Sequence, residues 1–200
     1  HGFHPGLSCE TPLAEFTTDL RLNLDSSYQT NAIFINFSKT FNRVVHRRLI
    51  TKLCTLNLDQ LTLSWLVSSL TARSQFTSIV GDFSAKTDVL SRVIQGLVLG
   101  PLLFLIFIDE LPSEITSSIC LFADDCVVYR RIISSTDQSS LLQDLNIIEA
   151  WYPRWLMEPN VSRRKHLLTS HKKFNLIFQY TLNSTVIYQE KSPTTTWVSS

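Results

Sequence analysis

Apolar positions recur along this chain with two different spacings, and the switch between them predicts interleaved helices and strands. Over Thr11 to Leu24, Leu13, Phe16, Leu20 and Leu24 fall three or four apart and make one helical face. Asn31 to Phe37 contains Ala32-Ile33-Phe34-Ile35, which reads as a short buried strand. Val45 to Leu56 returns to helical spacing with Val45, Leu49, Leu53 and Leu56, while Arg47, Arg48 and Lys52 crowd elsewhere on its surface. A further helix, Leu61 to Leu70, carries Trp65, Leu66 and Leu70. Gln75 to Val80 alternates as a strand does, and Gly81-Asp82 turns the chain into another. Leu97 to Ile108 is apolar but contains Gly100-Pro101, so it predicts a buried helix beginning near Pro101, with Pro112 helping to end it.

Beyond this run, Ser118 to Leu121 and Cys126 to Tyr129 flank Phe122-Ala123-Asp124-Asp125, the pattern of a hairpin with a carboxylate pair at its turn. Ser135-Thr136-Asp137-Gln138 reads as a capping box opening a helix with Leu141, Leu145 and Ile148 on one face. Pro153 is expected to break that helix, since an interior proline costs roughly 3 kcal/mol. The Ser/Thr-rich tail from Ser192 is expected to be poorly ordered. Helices and strands alternate without βαβ regularity, which predicts an α+β fold.

Composition narrows the choices. Two hundred residues, 44% hydrophobic, can bury a substantial core as one large domain or two small ones. With a net charge of +1 there is no global attraction to nucleic acid, so any such binding must come from local basic patches. The helix bearing Arg47, Arg48 and Lys52 is one patch, and Arg163-Arg164-Lys165 with His171-Lys172-Lys173 is a second. The longest apolar run is too short for a bilayer, and no membrane partner is expected. Cys9, Cys54, Cys120 and Cys126 form no CxxC pair, which fits a reduced intracellular protein, nuclear or cytoplasmic. The chain opens on His1-Gly2-Phe3 rather than on Met or a signal sequence, as a fragment of something longer would.

Asp124-Asp125 is the strongest chemical signal. A carboxylate pair at a strand end can hold hard divalent cations, because Mg²⁺ takes oxygen ligands and usually one or two carboxylates. An ordinary Asp-Asp turn between strands has the same composition.

The motifs in order carry a resemblance. They are His1-Gly2-Phe3-His4-Pro5-Gly6, Ile33 to Asn42, Gln95-Gly96-Leu97-Val98-Leu99-Gly100-Pro101, Leu121 to Asp125, and Trp151…Trp155…Asn160-Val161-Ser162. Over about residues 1 to 190 the chain resembles the reverse transcriptase of a non-LTR retrotransposon of the jockey-like kind. The resemblance implies a right-hand polymerase palm with partial fingers over residues 1–175, its antiparallel sheet flanked by helices. Residues 176–200 would be a hairpin remnant toward the thumb and a tail. It implies an RNA-directed DNA polymerase with an RNA template, a DNA primer, deoxynucleotide triphosphates and two Mg²⁺ ions. By position, Asp124 and Asp125 match the family's paired metal-binding aspartates. Phe41 matches the bulky residue that excludes ribonucleotides, Gln95 and Gly96 the loop at the incoming nucleotide, and Arg163 a lysine near its phosphates. Taken alone, Phe41 better suits a core position beside Phe37, and Gly96 an ordinary loop.

The departures from the family pattern decide the expected activity. The family motif Asp-Phe-Ser-Lys-Ala-Phe-Asp begins with a third metal carboxylate; here that position is Asn36, and the last Asp is Asn42. His4 and Leu7 replace arginines, and Pro153 and Pro159 disturb the segment before Arg163. In the Gly-Val-Pro-Gln-Gly-Ser loop, Arg92, Ile94 and Leu97 replace the first Gly, the Pro and the Ser. An amide for a carboxylate removes one formal charge beside both metals. At about tenfold in rate per 1.36 kcal/mol, a loss on the order of a thousandfold is expected. The alternatives are a non-catalytic descendant with a basic groove of Arg43, Arg47, Arg48, Lys52, Arg163, Arg164 and Lys165 that binds nucleic acid through its phosphates, and a relic that folds poorly and has no function. If the roles transfer, Asn36, Asp124 and Asp125 must lie together at one end of the sheet.

Overall fold

The computed structural model describes residues 10–37, 40–71, 73–93, 99–122, 124–172 and 175–189. The opening His1–Gly6 motif, the Gln95-Gly96 loop and the tail from Ser192 lie outside them. In chain order the elements are α1 (Glu10–Asp25), β1 (Gln29–Asn36), α2 (Thr40–Arg43), α3 (His46–Thr55) and α4 (Gln60–Thr71). Four short strands follow: β2 (Ser74–Gln75), β3 (Ser78–Ile79), β4 (Asp82–Phe83) and β5 (Thr87–Asp88). Next come α5 (Leu99–Ile108), α6 (Leu111–Glu114), β6 (Ser118–Phe122), β7 (Asp125–Ile132) and α7 (Ser135–Trp155). A 3-10 turn (Val161–Arg163), β8 (Lys165–Thr169), β9 (Tyr180–Leu182) and β10 (Thr185–Ile187) are the last elements among the described residues.

These elements form two compact units: residues 1–38, 110–154 and 158–200, and residues 39–109 and 155–157. The first is an antiparallel sheet in the order β6-β7-β1-β8 with helices on its faces. β1 is central because nearly its whole length is apolar or amide-bearing and buried. On one face the α1 ring of Phe16 meets Phe34 at 6.1 Å and Tyr129 at 4.9 Å, both edge-on. On the other, Phe37 just past β1 packs on Trp151 and Tyr152 of α7, at 6.0 and 5.8 Å. The period of two puts Ile33 and Ile35 on that same face.

The buried amides of β1 are satisfied from far along the chain. Gln29 donates to the Leu176 carbonyl at 2.9 Å and accepts from the Leu176 N–H at 2.8 Å. Asn31 donates to the Tyr180 hydroxyl at 2.7 Å. These bonds tie the β9–β10 segment to the sheet and remove the cost of burying three polar side chains.

In the second unit, α3 buries His46, Leu49 and Leu53, and α4 buries Leu66 and Leu70. Lys52 is turned inward: its Nζ donates to the Phe107 carbonyl (2.8 Å) and to Asp109 (2.7 Å), and lies 4.4 Å from the centre of the Trp155 ring.

Several expectations are corrected. Within the predicted α1 stripe Phe16 is buried and Leu20 packs on the same cluster, but Leu13 is 61% exposed, and Pro12 takes the inward place at that end. Leu56 lies beyond the end of α3 and is exposed. Gln75 to Val80 is not one strand: β2 pairs with β5 and β3 with β4, two residues each, and the turn is Val80-Gly81. Pro112 does not end α5, which stops at Ile108; it sits in the first turn of α6, where its missing N–H costs nothing. Pro153 does not break α7, which runs on to Trp155; with two residues left, the disruption is confined to the last turn. The capping box is shifted by one. Asp137 accepts from the N–H groups of Ile133 and Ser134 (3.0 and 2.9 Å) and from the Ser134 hydroxyl, while Gln138 is buried and donates to Leu176.

Candidate active site

Three segments of the first unit meet at one end of its sheet. β1 ends at Asn36, which stands opposite Asp125, the first residue of β7. Asp124 lies in the tight connection from β6, and its carbonyl accepts the Phe37 N–H at 2.9 Å, which docks the turn onto the end of β1. The third segment is the stretch after α7: Phe37 bridges to Pro159, and the Asn160 N–H donates to the Asn36 carbonyl at 2.7 Å.

The side chains converge as well. Asn36 is 5% exposed, and its Nδ2 donates to Asp124 Oδ2 at 3.1 Å and to Asp125 Oδ1 at 2.7 Å. Its Oδ1 lies 3.4 Å from Asn160 Nδ2, and Asn160 Oδ1 in turn accepts the Ser162 hydroxyl at 2.8 Å. Cys126, next to Asp125, is buried; burial first, then the charges of Cys120 and Asp125, raises its thiol far above the ordinary range. Following Asp125 in the chain, it is a neutral S–H and not a thiolate ligand.

Asn36 is therefore within hydrogen-bonding distance of both Asp124 and Asp125, with Asn160 joined to it. Asn160 was one residue of a longer motif in the sequence; its contact with Asn36 depends on a main-chain bond that composition does not signal. The other candidates are placed as follows. Phe41 lies in the second unit, half-buried, its ring 5.6 Å from Phe104 and its carbonyl accepting the Val93 N–H. Gln95 and Gly96 lie outside the described residues. Arg163 ends the 3-10 turn and is exposed. Arg164 donates to the Leu182 carbonyl, so it does not stand with Arg163 as a free phosphate contact, nor does the inward-facing Lys52.

The residues present do not make the three-carboxylate set that the resemblance implies for two Mg²⁺ ions. Asn36 presents N–H donors, not lone pairs, to Asp124 and Asp125. Among the described residues no three His, Cys, Asp or Glu side chains are grouped to hold a metal ion.

Known proteins resemble this chain in sequence and in fold. The chain is 27% identical over 168 residues to "Probable RNA-directed DNA polymerase from transposon BS" of Drosophila melanogaster, a match covering 80% of this chain and 18% of that protein. It is 27% identical over 179 residues to the corresponding polymerase from transposon X-element of the same species, covering 86% of this chain and 20% of that protein. The chain thus spans about a fifth of the length of these curated relatives. Among solved structures, apo telomerase from Candida tropicalis, truncated from its C-terminal domain, superposes with a TM-score of 0.60 at 10% identity, over 86% of this chain and 36% of that one. Telomerase of the same species in complex with a fragment of telomeric RNA gives 0.60 at 11% identity, over 88% of this chain and 32% of that one. At those identities the likeness is one of fold: an α+β palm with an antiparallel sheet. The family model "Reverse transcriptase (RNA-dependent DNA polymerase)" matches residues 1–186, and with that match the chain belongs to the reverse transcriptase family, as a domain of the non-LTR retrotransposon kind.

Proposed function

We propose that this chain is a polymerase domain for RNA-directed DNA synthesis whose nucleotidyl transfer is strongly impaired at Asn36. The observation that carries the reading is the convergence of Asn36, Asp124 and Asp125 at one end of the sheet in a chain of this family. Reverse transcriptases generally work with Mg²⁺, which supplies Lewis-acid stabilisation of the transferring phosphoryl group. Here Asp124 and Asp125 are the two anionic groups at the site, and Asn36 contributes a neutral amide where a third charge is expected. The deficit, several kcal/mol of transition-state stabilisation, corresponds to about a thousandfold or more in rate.

In this reading an RNA template, a DNA primer and deoxynucleotide triphosphates are the partners. The resemblance gives Phe41 the role of excluding ribonucleotides, Gln95 and Gly96 that of contacting the incoming nucleotide, and Arg163 a phosphate contact as a planar cation rather than as a lysine point charge.

Mg²⁺-dependent primer extension on an RNA template, run with this chain and with Asn36→Asp, tests the reading. Extension by the variant at a rate at least about a hundredfold above that of the natural chain is expected. Equal extension by both would show that the third carboxylate is dispensable. Extension by neither would shift the reading to a non-catalytic descendant.

A further inference from the structure

We infer that the Asn36 side-chain amide occupies the role of a bridging cation, so that the carboxylate pair of this protein is closed by hydrogen bonds and does not load a divalent metal ion. The inference rests on the assignment of Asn36, Asp124 and Asp125 as the polymerase site and concerns how that site is held.

The argument is one of direction along a hydrogen-bond chain. An ionised carboxylate only accepts, a hydroxyl both donates and accepts, and a side-chain amide has a donating end and an accepting end. The Ser162 hydroxyl donates to Asn160 Oδ1 at 2.8 Å, which turns the Asn160 NH₂ group toward Asn36. Asn160 Nδ2 approaches Asn36 Oδ1 at 3.4 Å, which turns the Asn36 NH₂ group toward the aspartates. There its two hydrogens serve Asp124 Oδ2 at 3.1 Å and Asp125 Oδ1 at 2.7 Å, one each. The side-chain oxygen of Asn36, the atom a metal would need, faces Asn160, and its main-chain oxygen accepts the Asn160 N–H at 2.7 Å. Every polar atom of Asn36 that could serve an ion is committed elsewhere. Hydrogen bonds to charged acceptors are among the stronger ones, and this pair relieves the repulsion of two adjacent carboxylates without any cation. Asn160 and Ser162 act as positioning residues, through Asn36.

An aspartate at position 36 would reverse this. Two N–H···O contacts would become O···O contacts among three carboxylates, a cluster that a bound cation relieves. Binding of Mn²⁺ alone, read as loss of the free-ion signal in electron paramagnetic resonance, separates the cases for the natural chain and Asn36→Asp. The natural chain is expected to leave Mn²⁺ free at concentrations where the variant binds it, a difference of about tenfold or more in affinity. In thermal unfolding the natural chain is expected to melt alike in chelator and in Mg²⁺. Asn36→Asp is expected to melt roughly 5 °C lower in chelator and to recover in Mg²⁺. Saturable Mn²⁺ binding by the natural chain that Asp124→Asn abolishes would overturn the inference, and this arm does not need the Asn36 variant to fold. No nucleic acid is present in either measurement, so a failure here is distinct from a failure of primer extension.

Discussion

Arg92 holds a backbone conformation that its own side chain opposes. Its φ of 98° lies in the left-handed region that glycine adopts freely, and its peptide groups are pinned there. Its N–H donates to the Val44 carbonyl at 2.9 Å, its carbonyl lies 2.8 Å from His46 Nε2, and the next N–H donates to Phe41 at 2.8 Å. The resemblance puts a glycine at this position, so Arg92 keeps a glycine conformation after the glycine is lost. Such strain costs on the order of 1–3 kcal/mol, and the Arg92 side chain is exposed. Arg92→Gly is therefore expected to raise stability by about 1 kcal/mol in urea unfolding, after allowance for the added freedom of the unfolded chain. A loss of stability would mean that the arginine side chain outweighs the strain. At this scale the aspartate pair was legible in the sequence because two charges between apolar runs are conspicuous. The link from Ser162 through Asn160 to Asn36 was not, since it depends on which end of each amide points inward.

Among the elements, alternation proved informative only where a face is buried. β1 reads as a strand and is one, enclosed on both sides by α1 and α7. Gln75 to Val80 alternates equally well, but its side chains are exposed, so nothing rewards continuing a ladder beyond two residues. α7 survives Pro153 because packing of Trp151 and Tyr152 outweighs a penalty confined to its last turn. β8 carries a consequence for pH. His166 is buried with its ring edge-on to Tyr180 at 5.0 Å, and burial lowers its pKa from 6.5 to about 4. The fold thus favours the neutral ring, whereas the unfolded chain takes up a proton near 6.5. That contribution is complete above about pH 6.5 and is lost as pH falls toward 4, a decline of about 3 kcal/mol. His166→Phe is expected to flatten this part of the stability curve measured by urea unfolding. An unchanged slope would assign the acid sensitivity to other groups.

For the molecule as a whole, a net charge of +1 means that attachment to a nucleic-acid backbone must come from exposed cations acting locally. Arg47 and Arg163 are exposed, whereas Lys52 and Arg164 are engaged within the protein. Replacing Arg47 or Arg163 with Ala is expected to lower the slope of log affinity against log salt by about one for each phosphate that the arginine neutralises, measured by fluorescence anisotropy with RNA. No change in slope with either variant would remove these residues from the interface. The sheet itself imposes an order on synthesis. β1 is complete at Asn36, yet one neighbour begins at Asp125 and the other at Lys165. At ribosomal rates of about 5–20 residues per second, the central strand waits roughly 10 s for its second partner to be made. During that interval an apolar strand has an unpaired edge, and other nascent chains on the same message carry the same edge. A ribosome that stalls before Lys165 prolongs that exposure, and makes this strand a natural client for a chaperone that shields extended apolar segments.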